Sequence, residues 1–119
     1  AELATLGENY AEMRKYYKTV SSDMTKGLED LIDKLSEKID LPDKFIIPGA
    51  TGGSAALDLA RSMIRFAERR IIDLDEAGFL TNKEILVFIN RLSDLMFILA
   101  RYEDQGVPIE VITGQRINE

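Results

Sequence analysis

The stretch SAALDLARSMIRFAERRIIDLD, residues 54–75, decides the fold class of this chain. Its apolar residues recur at intervals of three and four, the spacing that aligns side chains on one face of an α-helix. The members of this face are Leu57, Ala60, Met63, Ile64, Ala67, Ile71 and Leu74. The pattern predicts a long helix that begins at Ser54 and buries this stripe against neighbouring helices.

Two further helices are predicted, one on each side of residues 54–75. Ser21 or Ser22 can accept the free backbone N–H groups of a helix start, and helical periodicity then continues until Pro42. The apolar positions of that helix are Leu28, Leu31, Ile32, Leu35 and Ile39. Upstream, residues 1–6 are predicted to be a helix tail that ends at Gly7, and residues 8–20 to be irregular or partly helical.

The last predicted helix begins at residues 81–84, Thr-Asn-Lys-Glu, which have the spacing of a capping box. It continues to about residue 103 and is apolar on nearly all sides, as is typical of a helix in the middle of a bundle. We therefore predict an all-α fold, a helical bundle.

Length and composition predict one domain over residues 1–119. Apolar residues make up 45% and charged residues 30%, a balance typical of folded proteins. A net charge of -6 argues against a general nucleic-acid binder. The longest apolar runs are far below the roughly 20 residues that span a bilayer, so no membrane segment is predicted. No charged-then-apolar leader opens the sequence, so nothing indicates secretion.

The sequence has no cysteine and no histidine. Disulfides, Ser-His and Cys-His nucleophilic sites and common zinc sites are therefore excluded, and no metal ligands are predicted. Carboxylates alone can still perform acid-base chemistry or bind magnesium or calcium. An enzyme of this composition is expected to act mainly by positioning and electrostatics. The absence of cysteine fits a reducing compartment, and we predict a cytoplasmic protein.

The first candidate site is an arginine strip formed by Arg61, Arg65 and Arg69, which follow one another at i,i+4 spacing. Guanidiniums are forked donors that suit phosphate oxygens and stabilise a polyphosphate leaving group. The alternative is a solvated face with Asp58–Arg61 and Arg65–Glu68 ion pairs. Spacing alone favours this second interpretation.

A second candidate is the set of polar residues on the last helix. Asn90, Asp94 and Arg101 fall within a narrow arc beside Phe97. Polar groups on a buried helix need partners, because an unpaired buried group costs free energy. Pairing across the bundle is the more common outcome, and a ligand cleft is the alternative. Phe45, which precedes a Pro-Gly pair, is by spacing alone a core residue at one end of the bundle.

Residues 73–84 offer a rival reading, because they nearly fit an EF-hand calcium loop. Acidic residues stand at the first, third and twelfth positions, and Gly78 stands at the sixth. Ala77, however, provides no oxygen ligand at the fifth position, and Glu84 is explained equally well as a helix cap. Calcium binding by Asp73–Glu84 is therefore kept as an alternative.

Several motifs in sequence order resemble the PduO-type ATP:corrinoid adenosyltransferases. They are FIIPG at 45–49, SAALDLAR at 54–61, RFAERR at 65–70, FINRLSDL at 88–95 and LARYE at 99–103. The resemblance is strong over residues 45–103 and weaker, mainly in helical pattern, over residues 1–41. It implies a five-helix bundle that assembles as a homotrimer with active sites between subunits.

The reaction that the resemblance implies is a direct displacement. Cobalamin with its cobalt reduced to Co(I) attacks the C5′ carbon of ATP and expels triphosphate. Such a reaction requires no protein nucleophile, which suits a chain without cysteine or histidine. Magnesium is expected with the ATP, and a corrinoid reductase is a further expected partner.

The resemblance also implies roles for individual residues. Arg65, Glu68 and Arg69 would belong to the ATP site, and Asn90 would contact the nucleotide.

Arg61 would make a salt bridge between subunits that shapes the site. Phe45 would lie beneath the corrin and displace its lower ligand, so Phe45 and Arg65 are the predicted catalytic residues. Two departures stand out: Phe66 occupies a position where arginine is expected, and the Gly- and Thr-rich nucleotide loop and first helix are not seen in the sequence. We therefore expect a truncated chain, or alternatively a degenerate, non-catalytic homologue that binds a corrinoid or a partner.

Overall fold

The computed structural model describes residues 2–5, 7–39 and 49–105, and the regular structure within them is helical. A short 3₁₀ turn at Gly7–Asn9 leads into four α-helices. These are α1 (Tyr10–Arg14), α2 (Ser22–Ser36), α3 (Gly52–Glu76) and α4 (Glu84–Glu103). The predicted all-α class is confirmed. Across the described residues no helix is both long and apolar enough to cross a membrane.

Helix α2 begins where the sequence predicts. The Ser21 hydroxyl accepts a hydrogen bond from the Met24 backbone N–H, which satisfies one of the free donors of the first turn. The helix ends at Ser36, and the predicted stop at Pro42 lies outside the described residues. On the predicted apolar face Leu28, Ile32, Leu35 and Ile39 are half-buried, whereas Leu31 is exposed.

Helix α3 begins two residues earlier than predicted, because Thr51 caps it. The Thr51 hydroxyl accepts from the Ser54 backbone N–H at 3.0 Å, and the Ser54 hydroxyl accepts from the Thr51 N–H at 2.9 Å. Ser54 is therefore the third helical residue, the reciprocal member of a capping box. The helix closes at Gly78, whose φ of 83° lets the Phe79 N–H bond back to the Leu74 carbonyl.

The start of α4 differs from the predicted capping box. Lys83, not Thr81, occupies the N-cap position and makes no side-chain cap bond. The side chain that serves the first turn is Asn82, whose Oδ1 accepts from the Glu84 N–H at 3.1 Å. The Glu84 carboxylate instead accepts a 3.0 Å hydrogen bond from the Thr25 hydroxyl of α2. A side chain assigned to a local cap therefore joins two helices.

Helix α4 is the middle helix, as predicted. It packs against α2 and against α3, and among the described residues these two outer helices do not pack against each other. The buried apolar residues of the described chain are mostly on α4: Ile85, Leu95, Ile98 and Ala100, with Ile71 from α3. The face predicted for α3 is right except at Met63, which is 65% exposed. Met63 lies with Leu59 and Phe66 on the side of α3 turned away from α4.

The residues before α2 are partly helical, as predicted for 8–20, but residues 2–5 form a turn and not a helix tail. Glu2 holds this segment in place. Its carboxylate accepts hydrogen bonds from the Tyr10 hydroxyl at 2.8 Å, the Val20 N–H at 3.1 Å and the Asn82 amide at 3.2 Å. These bonds tie the N-terminal segment to the turn that leads into α4.

Candidate functional site

The contact between α3 and α4 brings together two predicted site residues. The Asn90 side-chain amide donates a hydrogen bond to Glu68 Oε2 at 3.0 Å. Both side chains are half-buried, so the bond spans the helix interface near its edge. An amide that has found a carboxylate is held in one orientation, with its carbonyl oxygen directed elsewhere. The pair fixes the register of α3 against α4 at this point.

The arginine strip is free of the ion pairs that a solvated face would need. Asp58 bonds to Arg101, and Glu68 bonds to Asn90. The Asp58–Arg61 and Arg65–Glu68 pairs that a solvated face would have are therefore not formed. Among the described residues, no carboxylate lies within 4 Å of a strip guanidinium. Arg65 and Arg69 are exposed and Arg61 is half-buried. The strip thus presents uncompensated positive charge, which attracts an anion with several oxygens.

Arg101 lies at the centre of a buried ionic cluster, which also contains Asp58 and Asp104. Its side chain is 5% exposed; Nη2 donates to Asp58 Oδ2 at 2.8 Å, and Nε lies 3.1 Å from Asp104 Oδ2. Asp58 Oδ2 also accepts from the Gly49 N–H at 3.2 Å. The prediction that Arg101 pairs across the bundle is confirmed. Asp104 was not foreseen, although its i+3 spacing from Arg101 was a signal for it.

Asp94 behaves differently from Asn90 and Arg101. Its carboxylate accepts from Arg91 Nη1 at 2.8 Å within α4, and the Arg91 Nε lies 3.6 Å from Glu29 of α2. Both Arg91 and Asp94 are partly exposed, with side-chain exposures of 39% and 46%. Of the three polar residues predicted to share an arc, two therefore reach α3 and one does not.

The ring of Phe97 lies close to two arginines. The guanidinium carbon of Arg61 lies over its ring at 5.5 Å from the centroid, and that of Arg101 lies at 5.1 Å. The Arg61 Nε is buried and has no hydrogen-bond partner among the described residues. Within the described part of the chain, the face of this ring is therefore the group that stabilises the positive charge of Arg61.

A cavity of about 320 Å³ opens beside the first turns of α3. Its volume is at the lower end of the range for small-molecule sites. The lining residues are Gly49, Ala55, Asp58, Leu59, Arg61 and Ser62. Arg61 thus belongs both to the cavity wall and to the arginine strip, so the two form one continuous surface.

The sequence profile of the cobalamin adenosyltransferases matches residues 1–103. The chain belongs to this family. Among the curated cobalamin adenosyltransferases, the corrinoid adenosyltransferase PduO of Salmonella typhimurium is 36% identical over 105 residues, which are 87% of this chain and 30% of that protein. The human corrinoid adenosyltransferase MMAB is 37% identical over 100 residues, 84% of this chain and 40% of that protein.

Solved structures of the family agree with the fold. A variant of the PduO-type ATP:corrinoid adenosyltransferase from Lactobacillus reuteri, complexed with cobalamin and ATP, has a TM-score of 0.74 and 37% identity. The match covers 87% of this chain and 55% of that one. The chain therefore spans less than half the length of these two curated proteins and about half of the solved structure.

The resemblance to the cobalamin adenosyltransferases singled out two aromatic positions, Phe45 and Phe66. Phe45, predicted to lie beneath the corrin, is outside the described residues. Phe66, where arginine was expected, is 54% exposed, and the guanidinium carbons of Arg69 and Arg70 lie 5.9 and 5.1 Å from its ring centroid. At position 66 an aromatic ring thus stands in place of the expected arginine, and this ring contacts two neighbouring arginines.

The calcium alternative does not fit the structure. Asp73 and Asp75 belong to the last turns of α3, so they do not lie in a loop. Asp73 pairs with Arg70 at 3.3 Å and Asp75 with Lys83 at 3.8 Å, while Glu84 accepts from Thr25. Within the described part of the chain, no group of three or more acidic residues is placed to hold a metal ion.

Proposed function

We propose that the protein is an ATP:corrinoid adenosyltransferase, which transfers the 5′-deoxyadenosyl group of ATP to the cobalt of cobalamin. The observation that carries the proposal is the arginine strip of Arg61, Arg65 and Arg69, whose guanidiniums have no carboxylate partner among the described residues. The names of the relatives, and the cobalamin and ATP bound in the solved neighbour, support the same reaction.

In this proposal Arg65 and Arg69 of the strip bind ATP through its triphosphate, and Arg61 makes a salt bridge between subunits that shapes the site. Arg65 and Arg69 are exposed on one flank of α3 and supply forked donors to the phosphate oxygens. Glu68 and Asn90, joined by their 3.0 Å hydrogen bond, contact the nucleotide beside it. Phe45 is proposed to act at the lower face of the corrin. Magnesium is proposed to accompany the ATP.

The reaction has little need of protein acid-base groups. The electron pair of Co(I) forms the cobalt–carbon bond to C5′, the C5′–oxygen bond breaks, and its electron pair leaves with the triphosphate. Positive charge near the departing phosphates lowers the barrier, because it stabilises charge that develops in the transition state. The three arginines of the strip, in a chain without histidine or cysteine, therefore suit this chemistry.

A homotrimer is part of the proposal. The outward side of α3 carries an apolar stripe of Leu59, Met63 and Phe66, which are 63%, 65% and 54% exposed. Apolar side chains exposed together on one helix face mark a contact surface. This stripe adjoins the arginine strip, which supports a site completed by a second copy of the chain. A single-domain organisation, a cytoplasmic location and a corrinoid reductase partner stay predictions.

The test is an anaerobic assay of the full-length protein with ATP, magnesium and chemically reduced cobalamin. Formation of adenosylcobalamin is followed by the loss of the Co(I) absorbance, with a reaction lacking ATP as the control. We expect ATP-dependent turnover and one triphosphate released per adenosylcobalamin formed. A folded protein that binds cobalamin without turnover would instead be the degenerate, binding-only homologue.

A further inference from the structure

We propose that Asp58 is a positioning residue for corrin binding, because it holds Gly49 at the end of the connector that carries Phe45. The inference rests on the proposed function, which gives Phe45 its place at the lower face of the corrin. Phe45 lies outside the described residues, and Gly49 is the described residue that follows it most closely. Asp58 acts through Gly49 and needs no contact of its own with the corrin.

The backbone of Gly49 is bonded to the helix that it precedes. Asp58 lies in the second turn of α3, and its Oδ2 accepts from the Gly49 N–H at 3.2 Å. Gly49 has a φ of 86°, a left-handed conformation that residues with a side chain rarely adopt. A carboxylate that accepts from a backbone N–H makes a strong hydrogen bond. The bond and the left-handed turn together set the direction in which the connector meets α3.

Asp58 is itself held by α4. The same Oδ2 accepts from Arg101 Nη2 at 2.8 Å, and the side chains of Arg101 and Asp58 are 5% and 11% exposed. Rotation of Asp58 away from Gly49 would also take this carboxylate from a guanidinium that has little access to water, which is costly. Asp104, 2% exposed, lies 3.1 Å from the Arg101 Nε and keeps the guanidinium in place. One oxygen atom therefore joins the connector to both α3 and α4.

The contact between Asp58 and Gly49 is also part of a cavity wall. Both residues line the cavity of about 320 Å³ beside the first turns of α3. Arg65 and Glu68, of the proposed ATP site, lie further along α3, roughly 10–15 Å away along the helix axis. Loss of the Gly49 bond is therefore expected to weaken the binding of the corrin and to leave the binding of ATP nearly unchanged.

Paired alanine variants of the full-length protein separate this role from a general loss of stability. Asp58→Ala removes the acceptor of the Gly49 N–H, and we expect the Kd for cob(II)alamin, measured by absorbance titration, to rise about three- to tenfold. Asp104→Ala, the matched control, removes the other carboxylate beside Arg101 but leaves Asp58 with both of its donors. It should lower the unfolding free energy in urea but change this Kd by less than about twofold.

A conservative variant and the affinity for ATP provide two further checks. Asp58→Asn keeps a carbonyl oxygen that can accept from Gly49 and from Arg101, so it should return the Kd for cob(II)alamin to within about twofold of the wild type. The Kd for ATP should stay within about twofold in every variant. An equal rise in the Kd for cob(II)alamin in Asp104→Ala, a parallel rise in the Kd for ATP, or no restoration by Asp58→Asn would each overturn the proposal.

A pair of glycine variants tests the connector without changing the buried ionic cluster, and it decides the matter if Asp58→Ala does not fold. Gly49→Ala and Gly78→Ala each put a side chain at a left-handed position, with φ of 86° before α3 and 83° after it. The added Cβ would lie 3.6 Å from Ala55 at the first position and meet nothing within 4 Å at the second, so the main cost in both is backbone strain. We expect Gly49→Ala to raise the Kd for cob(II)alamin about three- to tenfold and Gly78→Ala to leave it unchanged. Equal Kd values in the two variants would contradict the positioning role.

Failure of the positioning role and failure of the proposed function give different results. A wild-type protein that binds cob(II)alamin but forms no adenosylcobalamin would refute the proposed function alone, because the Kd series requires no turnover. Turnover by the wild type, with a Kd for cob(II)alamin that neither Asp58→Ala nor Gly49→Ala changes, would refute the positioning role alone. A folded wild-type protein that binds no cobalamin would refute both.

Discussion

Glu68 of α3 accepts a 3.0 Å hydrogen bond from the side-chain amide of Asn90 on α4. The two residues are 22 positions apart in the sequence. Glu68 was predicted to belong to the ATP site and Asn90 to contact the nucleotide. Their direct bond means that a change at one alters the orientation of the other. If the proposed function is correct, stability and nucleotide binding are linked at this point of the helix interface.

Replacing Glu68 is expected to show how much its hydrogen bond to Asn90 contributes to stability. Glu68→Ala leaves the Asn90 amide without its acceptor and should lower the unfolding free energy by about 1 kcal/mol. Glu68→Gln retains a carbonyl acceptor and should cost less than about 0.5 kcal/mol. Urea denaturation measures both. If Gln and Ala are equally destabilising, the bond to Asn90 contributes nothing.

Arg65→Ala is expected to weaken ATP binding without unfolding the protein. Loss of a charged hydrogen bond to phosphate costs about 1.5–3 kcal/mol, which corresponds to a rise in KM for ATP of roughly 10- to 150-fold. Because Arg65 is exposed, the melting temperature should change little. Arg70→Ala, an exposed arginine that is not part of the strip, is the matched control. Similar effects of the two variants on KM would show that only general positive charge is used.

The Asp58–Arg101 pair is expected to be far more important for stability than an exposed pair. Asp58→Ala leaves the Arg101 charge, 5% exposed, with Asp104 alone, and breaking buried pairs of this kind costs about 3–5 kcal/mol. Asp73→Ala removes the partner of Arg70 from an exposed pair and should cost about 0–1 kcal/mol. Chemical denaturation of both variants gives the comparison. Equal costs would mean that Arg101 finds water or another acceptor.

Tyr10 is expected to make the folded state less stable at alkaline pH. Burial, and then the hydrogen bond and charge of Glu2, raise the pKa of Tyr10 above its ordinary value of 10.0. The folded state therefore keeps the phenolic proton in a range where the unfolded state has lost it, so stability is lost as the pH rises above 10 and through the raised pKa. Tyr10→Phe should show a shallower fall in unfolding free energy over this range, whereas Tyr16→Phe, at an exposed site, should match the wild type.

Local signals in the sequence predicted the helices well. Ser21 caps α2 because a hydroxyl at the start of an apolar periodic run has a nearby N–H to accept from. The all-round apolar character of α4 predicted its central place. Met63 was assigned to the buried face because periodicity gives the direction of a stripe but not its width. The predicted cap of α4 was wrong, since Asn82 and not Thr81 accepts a hydrogen bond from the first turn.

Pairings between helices were harder to predict. The sequence indicated that Asn90 and Arg101 needed partners, but it did not select Glu68 and Asp58, because that choice depends on the register of α3 against α4. The arginine strip was visible from spacing, whereas the absence of carboxylates around it among the described residues required the structure. The contact of Phe97 with Arg101 is consistent with their i,i+4 spacing, whereas its contact with Arg61 depends on the register of α3 against α4 and has no sequence signature.

Because α4 is the central helix, we expect the free energy of local unfolding to differ from one helix to another. Since the outer helices α2 and α3 pack against α4 and not against each other in the described part of the chain, either can detach while the other stays docked. Amide hydrogens of α4 would then exchange with solvent most slowly, and those of α2 and α3 would exchange by separate routes. A partner or ligand bound along α3 would slow exchange there while leaving α2 free to fluctuate.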